Sequence, residues 1–243
     1  MLKIYKQISF PKAVIFDTDN TLYPYFPAHN FATRAVEEKA QSVLGVSASN
    51  FSRTLLIARK EIKSLLGETA SSHSRLLYFQ RTIEKLNGKS DIFVSLDLEQ
   101  TYWSNFLTHT KLFNDVLDFI TLLKSKNVLV ANITDLTAQI QFRKLIYFGV
   151  DQLFDFVVSS EECGVDKPSN LPFQTAIEKL MVKPHEIWMI GDNPISDIYG
   201  AKSCGIRTLQ KIHKGVKAGT DKNLPDIAFG EFSSLISYFS KLK

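Results

Sequence analysis

The chain is short of cysteine, of long apolar runs and of charge blocks, and each shortage excludes a class of protein. Its only two cysteines, Cys163 and Cys204, show no Cys-x-x-Cys or other ligand spacing. They form neither a disulfide framework nor a thiolate metal site, and they read as reduced thiols of a cytosolic chain. No stretch reaches the roughly 18–20 consecutive apolar residues that span a bilayer. The segment from Met1 to Pro11 carries Lys3 and Lys6 but no apolar stretch or cleavage pattern, so no signal peptide is expected. Formal net charge is only +4, from 29 basic and 25 acidic residues. That excess is too weak for a nucleic acid polymer, yet it suits a small anionic partner. Internal repeats and low-complexity tracts are also missing. The expectation is a soluble, cytoplasmic protein with neither membrane nor nucleic-acid partner, its oligomeric state left open.

What is present is a globular composition, 44% hydrophobic over 243 residues, long enough for a large domain or a core plus a second module. Short apolar runs recur at Ala13–Phe16, Val128–Ile133, Phe156–Val158, Ile187–Ile190, Ile206–Leu209 and Ile227–Phe229. From Val128 onward they alternate with helical patterns. In Gln139–Phe148, Ile140, Lys144, Leu145 and Phe148 fall at helical spacing, with Gly149 as a C-cap. Phe173–Leu180 and Asp197–Cys204 repeat the arrangement, and Phe232–Leu242 closes the chain. Alternating buried strands and helices predict an α/β fold, a Rossmann-like parallel sheet with helices on both faces. In such a sheet the ligand binds outside the carboxyl ends of the strands.

The segment from Pro27 to Lys111 breaks this rhythm. It reads as four amphipathic helices, Phe31–Leu44, Phe51–Leu66, Ser74–Leu86 and Leu96–Thr108, separated at Gly45, Gly67-Glu68 and Asn87-Gly88. The expected organisation is therefore an α/β core of residues 1–26 and 112–243, with an all-helical insert of residues 27–111. Such an insert can pivot as a lid about crossings near Tyr23–Pro27 and Thr110–Asn114.

The first apolar run ends in Asp17-Thr18-Asp19-Asn20-Thr21. Residues i and i+2 of an extended segment project to one side, which sets Asp17 and Asp19 side by side. Like charges that close push a pKa upward, so the pair calls for a cation, a shared proton or open solvent. Taken alone, the motif equally suits ordinary turn residues. Three more polar clusters follow later strands: Thr134-Asp135, Lys167-Pro168, and Gly191-Asp192 through Asp197. A parallel sheet gathers these ends at one edge. There they offer carboxylates to a hard cation, a hydroxyl and an ammonium to phosphate oxygens, and an acid for proton transfer.

These four motifs, in this order, resemble those of the haloacid dehalogenase-like hydrolases, and the helical insert resembles the cap of one subdivision of that superfamily. The resemblance implies a phosphatase acting through an aspartyl-phosphate. Asp17 would be the nucleophile and Asp19 the general acid and base. Mg²⁺ would be bound by Asp17, the backbone carbonyl of Asp19, and Asp192, with Asp197 a ligand or an acid that orients one. Thr134 and Lys167 would hold the phosphoryl group. Two departures stand out: Asp135 where an asparagine is common, and Asn132 inside an apolar strand as a further substrate-binding candidate. An acid at Asp19 favours phosphate esters over carbon–halogen bonds, since halide leaves without a proton. A sugar-phosphate mutase and a catalytically silent phosphate-binding member share the same residues. Within the insert, His29, Asn30, Arg34, His73 and Arg75 are the polar candidates for specificity. Ser71–Leu76 resembles a segment of capped phosphatases acting on nucleotides and acyl-sugar phosphates, which points to His73 and Arg75 as substrate-binding residues. The expected substrate is a sugar phosphate or a nucleoside monophosphate.

Overall fold

The computed structural model describes residues 2–242. The chain divides into two compact units, one formed by Tyr25–Thr110 and the other by the chain on either side of it.

The Tyr25–Thr110 unit holds helices α1 (Tyr25–Leu44), α2 (Ala48–Leu66), α3 (Arg75–Asn87) and α4 (Ile92–Thr108). Helices α2, α3 and α4 begin away from the expected residue, where side-chain caps set their ends. Ser47 accepts from the Asn50 amide at 3.3 Å, Ser74 from Leu77 at 3.3 Å, and Asp91 from Val94 at 3.0 Å. Each cap satisfies an N–H that would otherwise lack a partner. Helix α1 starts six residues before the expected Phe31 and runs through Pro27, which fits the first turn because no amide is required there. Ala28, Ala32, Val36 and Ala40 line its buried stripe, and these small side chains admit Leu98, Tyr102 and Phe106 of α4.

The other unit is built on a seven-stranded sheet. Its strands are β1 (Leu2–Ile4), β2 (Ala13–Phe16), β3 (Leu129–Thr134), β4 (Phe156–Ser159), β5 (Ile187–Gly191), β6 (Arg207–Lys211) and β7 (Ile227–Phe229). Their spatial order is β1-β7-β6-β5-β2-β3-β4, parallel throughout except where β1 pairs antiparallel with β7. Strand β1 was not expected, since Leu2–Ile4 is half-exposed and carries no apolar run. It pairs along the edge of β7, and Tyr5 and Lys6 extend the contact by donating to the Asp226 carbonyl at 2.8 and 3.0 Å. Alternate strand residues face opposite sides. Ala13 and Ile15 pack with Phe173 and Leu180 on one face. On the other, Phe16 meets the Phe119 ring edge-on at 6.2 Å.

Helices α5 (Val116–Ser125), α6 (Ala138–Tyr147), α7 (Ser160–Cys163), α8 (Asn170–Leu180), α9 (Gly200–Ser203) and α10 (Phe232–Phe239) complete the unit. No helix was expected at α5, although Val116, Phe119, Ile120 and Leu123 form a regular buried stripe. The helix expected from Asp197 instead begins with a π-helical turn at Pro194–Tyr199, because the Asn193 side chain caps Ile195 and Ser196 at 2.9 and 3.0 Å. Strand β2 lies between β3 and β5, so the winding reverses beside it and leaves a crevice at its carboxyl end. No helix among the described residues is long and apolar enough to cross a membrane.

Candidate active site

Asp17 continues β2 by donating its backbone amide to the Ile190 carbonyl at 2.9 Å, which seats its carboxylate at the crevice beside β5. One oxygen accepts from Lys167 Nζ at 2.7 Å and the other from Thr21 Oγ1 at 3.0 Å. The same ammonium donates to Asp197 Oδ1 at 2.8 Å and to the Ile133 carbonyl at 3.2 Å. Lys167, only 3% exposed, thus ties β2, β3 and the turn after β5 into one charged node.

Asp197 reaches this node because Gly191 has no side chain. A Cβ there would lie 2.4 Å from Asp197 Cγ, deep inside van der Waals distance. The second Asp197 oxygen accepts from the Asn193 amide at 2.9 Å. Asp192 joins from the same turn, and carboxylate oxygens of Asp17, Asp192 and Asp197 lie within 4.8 Å of one another. The Asp192 carbonyl is held by Gln210 Nε2 at 2.8 Å, and Gln210 also accepts from Gly219 at 2.8 Å.

Electrostatics follow from this crowding. Burial pushes the Asp17 carboxyl up to about 7; Lys167 pulls it down, and Asp197 pushes it up again. Asp192 is pushed up to about 9 by burial and by the charges of Asp197 and Asp17. Burial works against the Lys167 ammonium, but Asp17 and Asp197 outweigh it and hold it well above the ordinary lysine range. Three carboxylates around one ammonium form an all-oxygen donor set short of positive charge. A hard divalent cation satisfies both requirements.

Asp19, two residues on, stands apart from that node. Its Oδ1 accepts from Lys144 Nζ at 2.7 Å and from the Tyr23 hydroxyl. Lys144 comes from α6, is 1% exposed, and lies 5.9 Å from the centre of the Tyr23 ring. Lys144, Tyr23 and Gln210 are functional neighbours that no sequence motif singled out. The signal for Lys144 was visible as a lysine on the apolar stripe of its helix, since a buried ammonium requires a partner. Tyr23 and Gln210 offered no comparable sign.

Among the other sequence candidates, Thr134 ends β3 and is buried, paired in register with Ser159. Asn132 is 0% exposed, and its amide nitrogen donates to the Phe16 carbonyl at 2.8 Å and to Thr18 Oγ1 at 2.9 Å. Thr18 returns a bond to Asn132 Oδ1 at 3.2 Å. Asn132 is therefore a brace beneath the loop after β2, with both ends of its amide engaged within the protein. Asp135 is turned onto the backbone, its Oδ1 accepting from the Lys167 amide at 2.9 Å. Burial raises its pKa, with Lys167 opposing. Arg75 and His73 belong to the helical unit. There Arg75 Nη1 donates to the His73 carbonyl at 2.8 Å and Nη2 to the Tyr25 hydroxyl.

Comparison with known proteins agrees with this geometry. Residues 11–205 match the family described as haloacid dehalogenase-like hydrolase. A ribulose-1,5-bisphosphate 5-phosphatase of Halopiger xanaduensis is 36% identical over 81% of this chain and 83% of its own. A glyceraldehyde 3-phosphate phosphatase of Methanopyrus kandleri is 27% identical over 95% of this chain and 98% of its own. In fold, a 2-haloacid dehalogenase from Pseudomonas syringae superposes with a TM-score of 0.72 at 22% identity, covering 97% of this chain and 99% of the other. With the four strand-end clusters converging as described, the chain belongs to the haloacid dehalogenase-like hydrolase family.

Proposed function

We propose that the protein is a Mg²⁺-dependent phosphatase that cleaves a small phosphorylated sugar through an aspartyl-phosphate on Asp17. The observation that carries this reading is the buried node in which Lys167 bridges Asp17 and Asp197, with a second acid, Asp19, two residues beyond. The enzyme is a phosphoric monoester hydrolase, in keeping with relatives that carry phosphatase names across most of its length. The relatives' substrates, a pentulose bisphosphate and a triose phosphate, support sugar phosphates over nucleotides.

An Asp17 oxygen attacks phosphorus, and the P–O bond to the ester oxygen breaks as that oxygen takes a proton from Asp19. Water then attacks the aspartyl-phosphate while Asp19 takes back a proton, releasing phosphate and restoring Asp17. Lys167 offsets charge on Asp17 and on the phosphoryl oxygens, and the Thr134 hydroxyl binds one of those oxygens. Asp17, Asp192 and the Asp19 carbonyl would hold Mg²⁺, with Asp197 fixed beside them. Bound there, the ion supplies positive charge that draws phosphate in and stabilises developing negative charge. Lys144 and Tyr23 keep the Asp19 side chain in one orientation. The helical unit serves as the cap, selecting the remainder of the substrate.

The test is release of phosphate from a panel of sugar phosphates and nucleoside monophosphates in Mg²⁺. Turnover should vanish in EDTA and fall by at least about 10³-fold in Asp17→Asn, whose fold stays intact by circular dichroism. Near wild-type rates in either condition would overturn the mechanism.

A further inference from the structure

Arg75 stands in an unusual position within the helical unit. Its guanidinium lies 5.3 Å from the Tyr102 ring centre, 5.6 Å from Trp103 and 5.7 Å from Tyr78. Its hydrogen bonds go to neutral groups, the His73 carbonyl and the Tyr25 hydroxyl. Among the described residues no carboxylate pairs with it. The catalytic unit treats its buried cations differently, for Lys167 and Lys144 each meet a carboxylate. Buried Lys211 caps the Gly230 carbonyl, and burial pulls its pKa down. An arginine has no such escape, since it stays protonated in proteins. A half-buried charge that faces aromatic rings and has no carboxylate beside it favours an anion from outside.

A cavity of about 260 Å³ opens beside this side chain. Val36, Leu55, Leu56 and Phe79 form its apolar wall, and Arg59, Arg75 and His29 its polar side. Arg59 is exposed, and its charge acts on the Tyr78 hydroxyl. His29 Nδ1 lies 2.8 Å from the Tyr102 hydroxyl, and burial together with Arg75 and Arg59 pulls its pKa down to about 4. The histidine is therefore neutral at physiological pH and adds no charge of its own. Glu37 is the one carboxylate in the lining, and Ser52 holds it. Two arginines against one acid leave a net positive pocket, and apolar walls strengthen its attraction for an anion. The volume lies near the low end for ligand pockets, matching a molecule of few heavy atoms.

We infer that this cavity binds a phosphate or carboxylate group of a small molecule, with Arg75 as its counter-ion and Arg59 as a second contact. The chemistry admits two sources, a distal anionic group of the substrate or a separate small anion. Occupancy of the cavity is read without turnover, whereas the first source rests on the phosphatase reading.

The experiment follows the imidazole signals of the full chain by NMR, with His29 identified through His29→Gln, while inorganic phosphate is added. A bound anion offsets the arginine charges, so the His29 pKa should rise in a saturable way. Arg75→Lys, which keeps the charge but loses the planar fork, should weaken that response about tenfold. Arg59→Ala, at an exposed position, should weaken it with no loss of fold. An unmoved His29, or an equal response in wild type and both variants, overturns the inference. The source is read from the KM of a sugar bisphosphate relative to that of its monophosphate. If Arg75→Lys raises this ratio about tenfold, the anion is the substrate's own second group. An unchanged ratio with a lost phosphate response assigns the cavity to a separate anion. Both results uphold the site.

Discussion

Replacing Lys167 with methionine isolates the charge that holds the acidic node together, since the two side chains are of similar length. The ammonium lies 2.7 Å from Asp17 and 2.8 Å from Asp197. At an effective dielectric of about 20, each such contact contributes roughly 6 kcal/mol of attraction. Burying the ammonium offsets several kcal/mol of the pair, and deleting one member of a buried ion cluster costs about 3–5 kcal/mol. The lower end applies here, because Asp17 can take up a proton instead of remaining charged. The sign of the pH dependence is fixed by the same group. Its pKa is about 7 in the folded chain against 3.8 ordinarily, so the folded chain retains a proton that the unfolded chain has lost. The Asp17 contribution to metal-free stability therefore falls as pH rises from about 4 through the folded pKa, by about 1.4 kcal/mol per pH unit. Lys167 is the largest influence that lowers this pKa. Its removal lifts the pKa further and extends the falling window to higher pH.

Urea unfolding of wild type and Lys167→Met in EDTA should show a deficit of about 3 kcal/mol at about pH 8.5, shrinking toward about pH 5.5. Mg²⁺ in roughly hundredfold excess over its Kd stabilises a folded chain by about 2.7 kcal/mol, and should reduce the deficit by replacing the missing charge. Phosphatase activity should fall by about 10²–10³-fold, as for loss of one preorganised donor. A deficit independent of both pH and Mg²⁺ would mean that Lys167 matters as packing, which refutes the electrostatic reasoning.

Gly191→Ala should abolish activity with a loss of about 1–3 kcal/mol in stability, because the added methyl displaces Asp197; an active variant with wild-type Mg²⁺ affinity would contradict the close approach. Asn132→Leu should cost about 1–3 kcal/mol in urea melts by leaving the Phe16 carbonyl and the Thr18 hydroxyl without their partner, and should lower kcat more than it raises KM. A rise in KM alone would instead restore Asn132 as a substrate contact.

Much of the molecule was legible in its residues. Six of the seven strands announce themselves as short apolar runs, whereas Asp19, expected beside Asp17 from the period of an extended chain, turns to Lys144 and Tyr23. Four motifs in order suffice to identify the family, because each is a local pattern at the end of a strand. Where the reading fell short, the missing term was a partner distant along the chain. Strand β1 exists because β7 offers it an edge. Asn132, expected to be a substrate contact, bonds the Phe16 carbonyl that strand register places beside it. Lys144 pairs with Asp19 across 125 residues, a choice made by the packing of α6 against the turn after β2. Sequence determined which groups the site has, since composition and local spacing need no knowledge of neighbours. Tertiary structure decided which groups share a charge and which are buried, for pKa and pairing depend on distance and dielectric, and the fold alone sets those.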